Sequence, residues 1–142
     1  MRTNSRARAI GYWVVTALVA LAFLTGGAFD AARGPDVRAI MSHLGYPSYF
    51  ALILGIWKVL GGLAVLAPRL PRLKEWAYAG MFFDLSGAAV SHSVLGDGAK
   101  AVLTPVILLL LVMASWALRP ASRVLGGSTA ASPLAPERRA AA

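Results

Sequence analysis

Two charged residues, Lys58 and Asp84, stand near the middle of apolar segments, where an ammonium and a carboxylate can exchange protons or grip a polar head group. Lys58 lies about nine residues before Ala67, where its segment ends, and Asp84 about nine residues after Glu75, where the next begins; at roughly 1.5 Å rise per residue both reach the same depth in a helical hairpin. A charge at that depth costs roughly 2.5–3.5 kcal/mol on insertion scales. Two opposite charges at one depth offset each other. Such a pair is either a proton-titrating or ligand-contacting centre, or a device that fixes the register of two helices. The sequence leaves both readings open and assigns no residue a catalytic role.

The positions around the pair follow helical spacing. Gly80, Asp84, Gly87, Ala88, Ser91 and His92 recur at three- and four-residue steps, a stripe of small and polar side chains that favours close helix contact in lipid. Gly55, Lys58 and Gly62 form a matching stripe on the preceding segment. Placed face to face, the stripes bring Lys58 opposite Asp84, with Gly80, Gly55, Gly62 and Ser91 in support. Thr16, Ala20 and Gly27 share one side of the first segment. His92 stands two turns beyond Asp84. It either relays protons between Asp84 and the exterior or hydrogen-bonds Ser91, Asp97 or a nearby backbone group. Trp57 falls mostly on another face and reads as packing. Glu75 is explained by its place in a first helical turn, where an acid offsets the N-terminal dipole.

These residues sit in four apolar segments. The chain has 142 residues, of which 58% are hydrophobic, and its mean hydropathy is +0.65; a soluble domain is usually about 45–50% apolar. The expected spans are 10–29, 47–67, 75–95 and 101–118, each near the roughly 20 residues that cross a bilayer. The first exceeds the apolar core of a signal peptide and is followed by three more, so it reads as a span. Residues 1–9 form a basic N-terminus, 10–120 the four-span domain, and 121–142 an Ala/Pro/Ser-rich tail with the composition of disorder. The connection between the first two spans holds Val37, Ile40, Met41 and Leu44 at the spacing of a short amphipathic helix.

The chain carries a net charge of +8. Its basic residues flank the apolar segments and line no polar face, which argues against nucleic acid. There is no cysteine, which excludes thiolate chemistry, cysteine-held iron–sulfur clusters and cysteine zinc sites. Two histidines far apart in the chain suggest no metal site. Lys and Arg gather in the N-terminus (Arg2, Arg6, Arg8), the Pro68–Lys74 turn and the tail after the fourth span. The positive-inside rule therefore places both termini in the cytoplasm. Trp13, Trp76 and Trp116, with Tyr12 and Tyr78, are expected as anchors at the inner interface, and Tyr46 and Tyr49 at the outer one. Short connections imply an all-α, antiparallel four-helix bundle.

The runs Gly45-Tyr-Pro, Leu54-Gly-Ile-Trp-Lys58-Val-Leu-Gly-Gly, Pro68-Arg-Leu-Pro-Arg-Leu-Lys-Glu-Trp-Ala-Tyr-Ala-Gly80, Phe83-Asp84-Leu-Ser-Gly-Ala, Ser91-His92 and Gly96-Asp97 resemble the DoxX-like family of small bacterial four-helix membrane proteins. The resemblance extends from about Tyr12 to Pro120. It implies a multi-pass protein of the bacterial cell membrane, in contact with the lipid bilayer. The wider family is named for a subunit of an archaeal thiosulfate:quinone oxidoreductase, and relatives are linked to membrane redox functions. The implied role is a redox-associated or quinone-linked module. Without flavin, haem or metal motifs it reads as a membrane subunit, with quinone as the ligand and a redox partner protein or a homo-oligomer completing it, and not as an enzyme on its own. A small proton-coupled transporter and a non-catalytic scaffold are the alternatives. The absence of cysteine closes any thiol-based mechanism.

Overall fold

The computed structural model describes residues 2–124. Among them lie five α-helices: α1 Arg2–Ala32, α2 Pro35–His43, α3 Ser48–Leu66, α4 Pro71–Leu95 and α5 Ala99–Leu118. A single 3-10 turn, Ala121–Arg123, follows. The breakers that punctuate the sequence mark the boundaries. Pro35 and Pro71 open α2 and α4, where a missing N–H costs nothing. Gly96 closes α4 in the left-handed conformation, with φ 70°, which a side chain would strain.

Three helices are long and apolar enough to cross a membrane: α1 over Arg6–Ala32, α3 and α5. α4 is comparably long at 25 residues, but Arg72, Lys74, Glu75, Asp84 and His92 dilute it. α1 packs on α3 and α5, and α4 packs on the same two helices. The long helices therefore close a ring around a core of Val19, Phe23, Val65, Tyr78, Met81, Leu85 and Val112. The short α2 folds back on the start of α3, burying Val37 and Met41 against Ala51. Ile40, on the same expected apolar face, stays exposed.

The closest crossing lies between α1 and α3. A methyl group added at Gly55 would come 2.5 Å from the Ala31 nitrogen and 2.6 Å from the Gly27 oxygen. One added at Gly62 would meet the Leu24 side chain at 3.0 Å. Gly55 and Gly62 thus serve α1, where the sequence pattern faced them toward α4. The reason is steric: α1 carries its own small positions, Ala20 and Gly27, on the facing side. α4 offers no such fit, and Gly80 and Gly87 have no neighbour within 4 Å of an added methyl.

Two further expectations are revised. Tyr12 and Tyr78 are not interface anchors; they are 0% and 4% exposed, because bonding partners await them inside the bundle. Trp13, Trp76 and Trp116 do lie on the outer surface, at 46%, 78% and 43% exposure. The segment after the fourth span does not begin as a tail. Arg123, in the 3-10 turn, lies over the Trp13 ring, 4.5 Å from its centroid, and donates a hydrogen bond to the Tyr12 hydroxyl at 3.3 Å. The rest of the expected tail, 125–142, lies outside the described residues.

Candidate functional site

The centre of the site is Lys58. Its Cβ packs where a methyl on Gly27 would sit, 2.8 Å away. From there the side chain runs along α1, and its ammonium reaches Asp30, three residues beyond Gly27. The Lys58 Nζ donates a hydrogen bond to Asp30 Oδ2 at 2.8 Å. Asp84 Oδ2 is 3.7 Å from the same nitrogen, within ion-pair range but beyond hydrogen-bond length. The sequence pairs Lys58 with Asp84 alone and reads Asp30 as part of a polar connection. α1 runs on to Ala32, however, and presents Asp30 to the ammonium. The centre is a triad of two carboxylates and one ammonium. Asp84 Oδ2 is shielded from solvent and has no hydrogen-bond partner.

Two cavities meet at this triad. A cleft of about 350 Å³ lies between α3 and α4. Leu54, Trp57, Leu60, Trp76, Gly80 and Met81 line it, with Lys58 and Asp84 as its charged residues. Its walls are almost wholly apolar. Because Gly80 has no side chain, the space in front of it stays open. A second cavity of about 550 Å³ lies on the α5 side of Asp84 and is bounded by Lys58, Asp84, His92, Asp97, Lys100, Thr104 and Pro105. Pro105 lacks the N–H that would bond the Ala101 carbonyl in an unbroken helix, and both residues border this cavity. Lys58 and Asp84 belong to both spaces.

The second cavity leads to a carboxylate held between two histidines. Asp97 Oδ2 bonds His92 Nδ1, and Asp97 Oδ1 bonds His43 Nε2, each at 2.6 Å. The hydrogen bonds from His92 and then His43 hold the Asp97 carboxyl below the usual carboxylate range. His43 is the last residue of α2, so this bridge ties α2 to the α4–α5 connection. Tyr46 adds a second tie, its hydroxyl 3.0 Å from that of Ser91. His92 and Ser91 are thus engaged at the end of α4. His92 is bonded to Asp97, and Asp84 lies across the same cavity.

A separate polar network occupies the opposite end of the bundle. The Lys74 ammonium, 1% exposed, donates to the Ala64 and Val65 carbonyls at 2.9 and 2.6 Å. These belong to the last turn of α3, whose carbonyls have no intrahelical partner. Arg119 Nη1 lies 2.8 Å from Glu75 Oε1, and Trp116 Nε1 donates to the same carboxylate at 3.1 Å. The hydroxyls of Thr16 and Tyr78 each lie 2.7 Å from that of Ser115.

Sequence patterns missed Asp30, His43, Trp57 and Lys74 as participants. Asp30 carried a signal, since it stands one turn beyond Gly27 on the same face of α1. Trp57 lines the cleft and is 67% exposed. Among the described residues no cluster of His, Asp or Glu has the geometry of a metal site.

The model of the DoxX-like family matches residues 14–115. No curated protein and no solved structure matches the chain.

Proposed function

Since the chain belongs to the DoxX-like family and is a multi-pass membrane protein, we propose that it is a quinone-linked membrane module whose α3–α4 cleft receives the head of a lipid-soluble ligand. In this reading all four long helices cross the bilayer with both termini in the cytoplasm, as the distribution of Lys and Arg favours. The Asp97 end of the molecule then faces outward. The module is not a complete oxidoreductase. A redox partner protein supplies electrons, and this chain supplies the binding site and the charged groups beside it.

The observation that carries the proposal is that Lys58 and Asp84 border both cavities. An apolar cleft with one polar wall suits an amphiphile whose ring packs between Trp57 and Trp76 and whose carbonyl accepts a hydrogen bond from the Lys58 ammonium. The polar cavity on the other side gives the same residues a route toward His92 and Asp97. A small proton-coupled transporter is the second reading, favoured by the same placement of Asp84 between two spaces. Proton movement driven by a candidate substrate in liposomes would identify it.

The binding test uses tryptophan emission in a Trp13→Phe/Trp116→Phe background, where only Trp57 and Trp76 remain to report. A short-tailed quinone is expected to quench that emission saturably. Gly80→Phe projects a ring into the cleft from a position where an added Cβ meets nothing within 4 Å, and should weaken the interaction by about tenfold or more. Absence of saturable quenching, or an unchanged affinity in Gly80→Phe, would remove the quinone reading and leave the transporter and scaffold roles.

A further inference from the structure

We propose that Asp84 is the proton-carrying carboxyl of the membrane centre and that Asp30 is the permanent counter-ion of Lys58. The proposal goes beyond the ligand reading and holds whatever occupies the cleft.

The geometry divides the roles of the two acids. Asp30 takes a charge-assisted hydrogen bond from Lys58 at 2.8 Å; such bonds are the strong ones. Asp84 sits 3.7 Å from the same nitrogen with Oδ2 shielded and unbonded. One ammonium neutralises one carboxylate, and the triad carries one acid in excess. A carboxylate with an unbonded, shielded oxygen is expensive in apolar surroundings, and a neutral carboxylic acid is much less so. Of the two acids, Asp84 is the one that gives up no hydrogen bond by taking a proton.

The groups around Asp84 allow this. α1 presents Asp30 and α3 presents Lys58. Farther along α4 stands His92, already bonded to Asp97. α5 contributes Lys100 and Thr104 to the wall of the polar cavity. Among the described residues Lys100 makes no ion pair with Asp84, whose one ion-pair contact is the long one to Lys58. The polar cavity, with His92 and Asp97 farther along it, is the path by which the proton comes and goes.

The test is labelling by a hydrophobic carbodiimide, which reaches carboxyls through lipid and reacts with the protonated form. The acid proton moves to a carbodiimide nitrogen, the carboxyl oxygen adds to the central carbon, and rearrangement leaves a stable N-acylurea. The peptide gains the mass of the whole reagent. In folded wild-type protein at neutral pH the label should map to Asp84 and not Asp30, and should decline as pH rises. Easier access to Asp84 alone cannot explain the second expectation. Asp30→Asn leaves the cleft unchanged but frees the ammonium to turn to Asp84, so Asp84 labelling should fall by about tenfold. The label on Asp30 in preference to Asp84, or no label on Asp84, would overturn the proposal. So would a folded Asp30→Asn protein that labels Asp84 as readily as wild type. If Asp30→Asn does not fold, the position of the label in wild type decides.

Discussion

Lys74 and Lys58 are both membrane-protein lysines held by oxygen atoms, yet their surroundings differ in kind. Lys74 is closed off, and its ammonium is matched to two helix-end carbonyls that would otherwise lack donors. Its neighbours are matched too: Glu75 with Arg119 and Trp116, Ser115 with Thr16 and Tyr78. Lys58 is part-exposed, at 25% of its side chain, and faces two carboxylates of which it bonds one. Cavities open on either side of it. Among the described side chains of the Lys74 centre, the one buried polar atom without a hydrogen bond is Arg119 Nη1, and it lies 2.8 Å from Glu75 Oε1 as an ion pair. The charges there are paired, which suits a stabilising role. A centre with an unmatched oxygen beside open space retains capacity for binding and proton exchange.

The sharpest way to break this contrast is Lys74→Met. It leaves the Ala64 and Val65 carbonyls unbonded and should cost about 3 kcal/mol, since hydrogen bonds to charged groups are worth roughly 1.5–3 kcal/mol each. Thermal unfolding in detergent reads the loss, and quinone quenching of the folded fraction should be unchanged. Impaired quenching would mean that the two centres are not separate.

The next prediction concerns the number of acids that Lys58 serves. Lys58→Met strands carboxylates, and pairing it with Asp84→Leu still leaves Asp30 without its donor. Pairing it with Asp30→Asn should recover more folded protein, by about 1–2 kcal/mol of stability, because the excess acid then remains as a neutral Asp84. Equal recovery in the two doubles would return Asp84 to the position of principal partner.

Ser115→Ala deprives two buried hydroxyls, Thr16 and Tyr78, of their common partner. A loss of about 1–2 kcal/mol in the same unfolding measurement is expected, with ligand quenching intact. A neutral outcome would show that the network is not matched as tightly as its distances indicate.

The smallest effect is at the Asp97 bridge. Its carboxyl titrates lower in the folded protein than in the unfolded chain. The bridge therefore contributes fully above about pH 4, the ordinary aspartate value, and is lost as pH falls through the depressed one. Amide exchange in α2, compared with Asp97→Asn at each pH, should show extra protection in wild type near pH 6. The difference should shrink as pH falls below the ordinary aspartate value and through the depressed one. No difference from Asp97→Asn near pH 6 would place the anchor elsewhere, with Tyr46 and Ser91 next in line.

Glycines and lysines show where sequence reasoning reaches its limit. A small residue at helical spacing announces close approach but not its partner, and Gly55 fits two faces equally well until α1 arrives. Lys74, in a basic turn, reads as a solvated flank, because hydropathy is averaged along the chain and is blind to a neighbouring helix end. Asp30 was hidden for a related reason: a charged residue after an apolar run resembles the end of a helix.

From composition and periodicity alone came the helical class, the apolar segments, the breakers between them and the prominence of Lys58 and Asp84, because each follows from local residue preferences and the expense of burying charge. Tertiary structure alone decided that Lys58 bonds Asp30, that Asp84 keeps an unbonded oxygen between two cavities, and that Lys74 is interior. Those outcomes depend on which helices touch and how a long side chain turns, and distances across the fold are not written in local order.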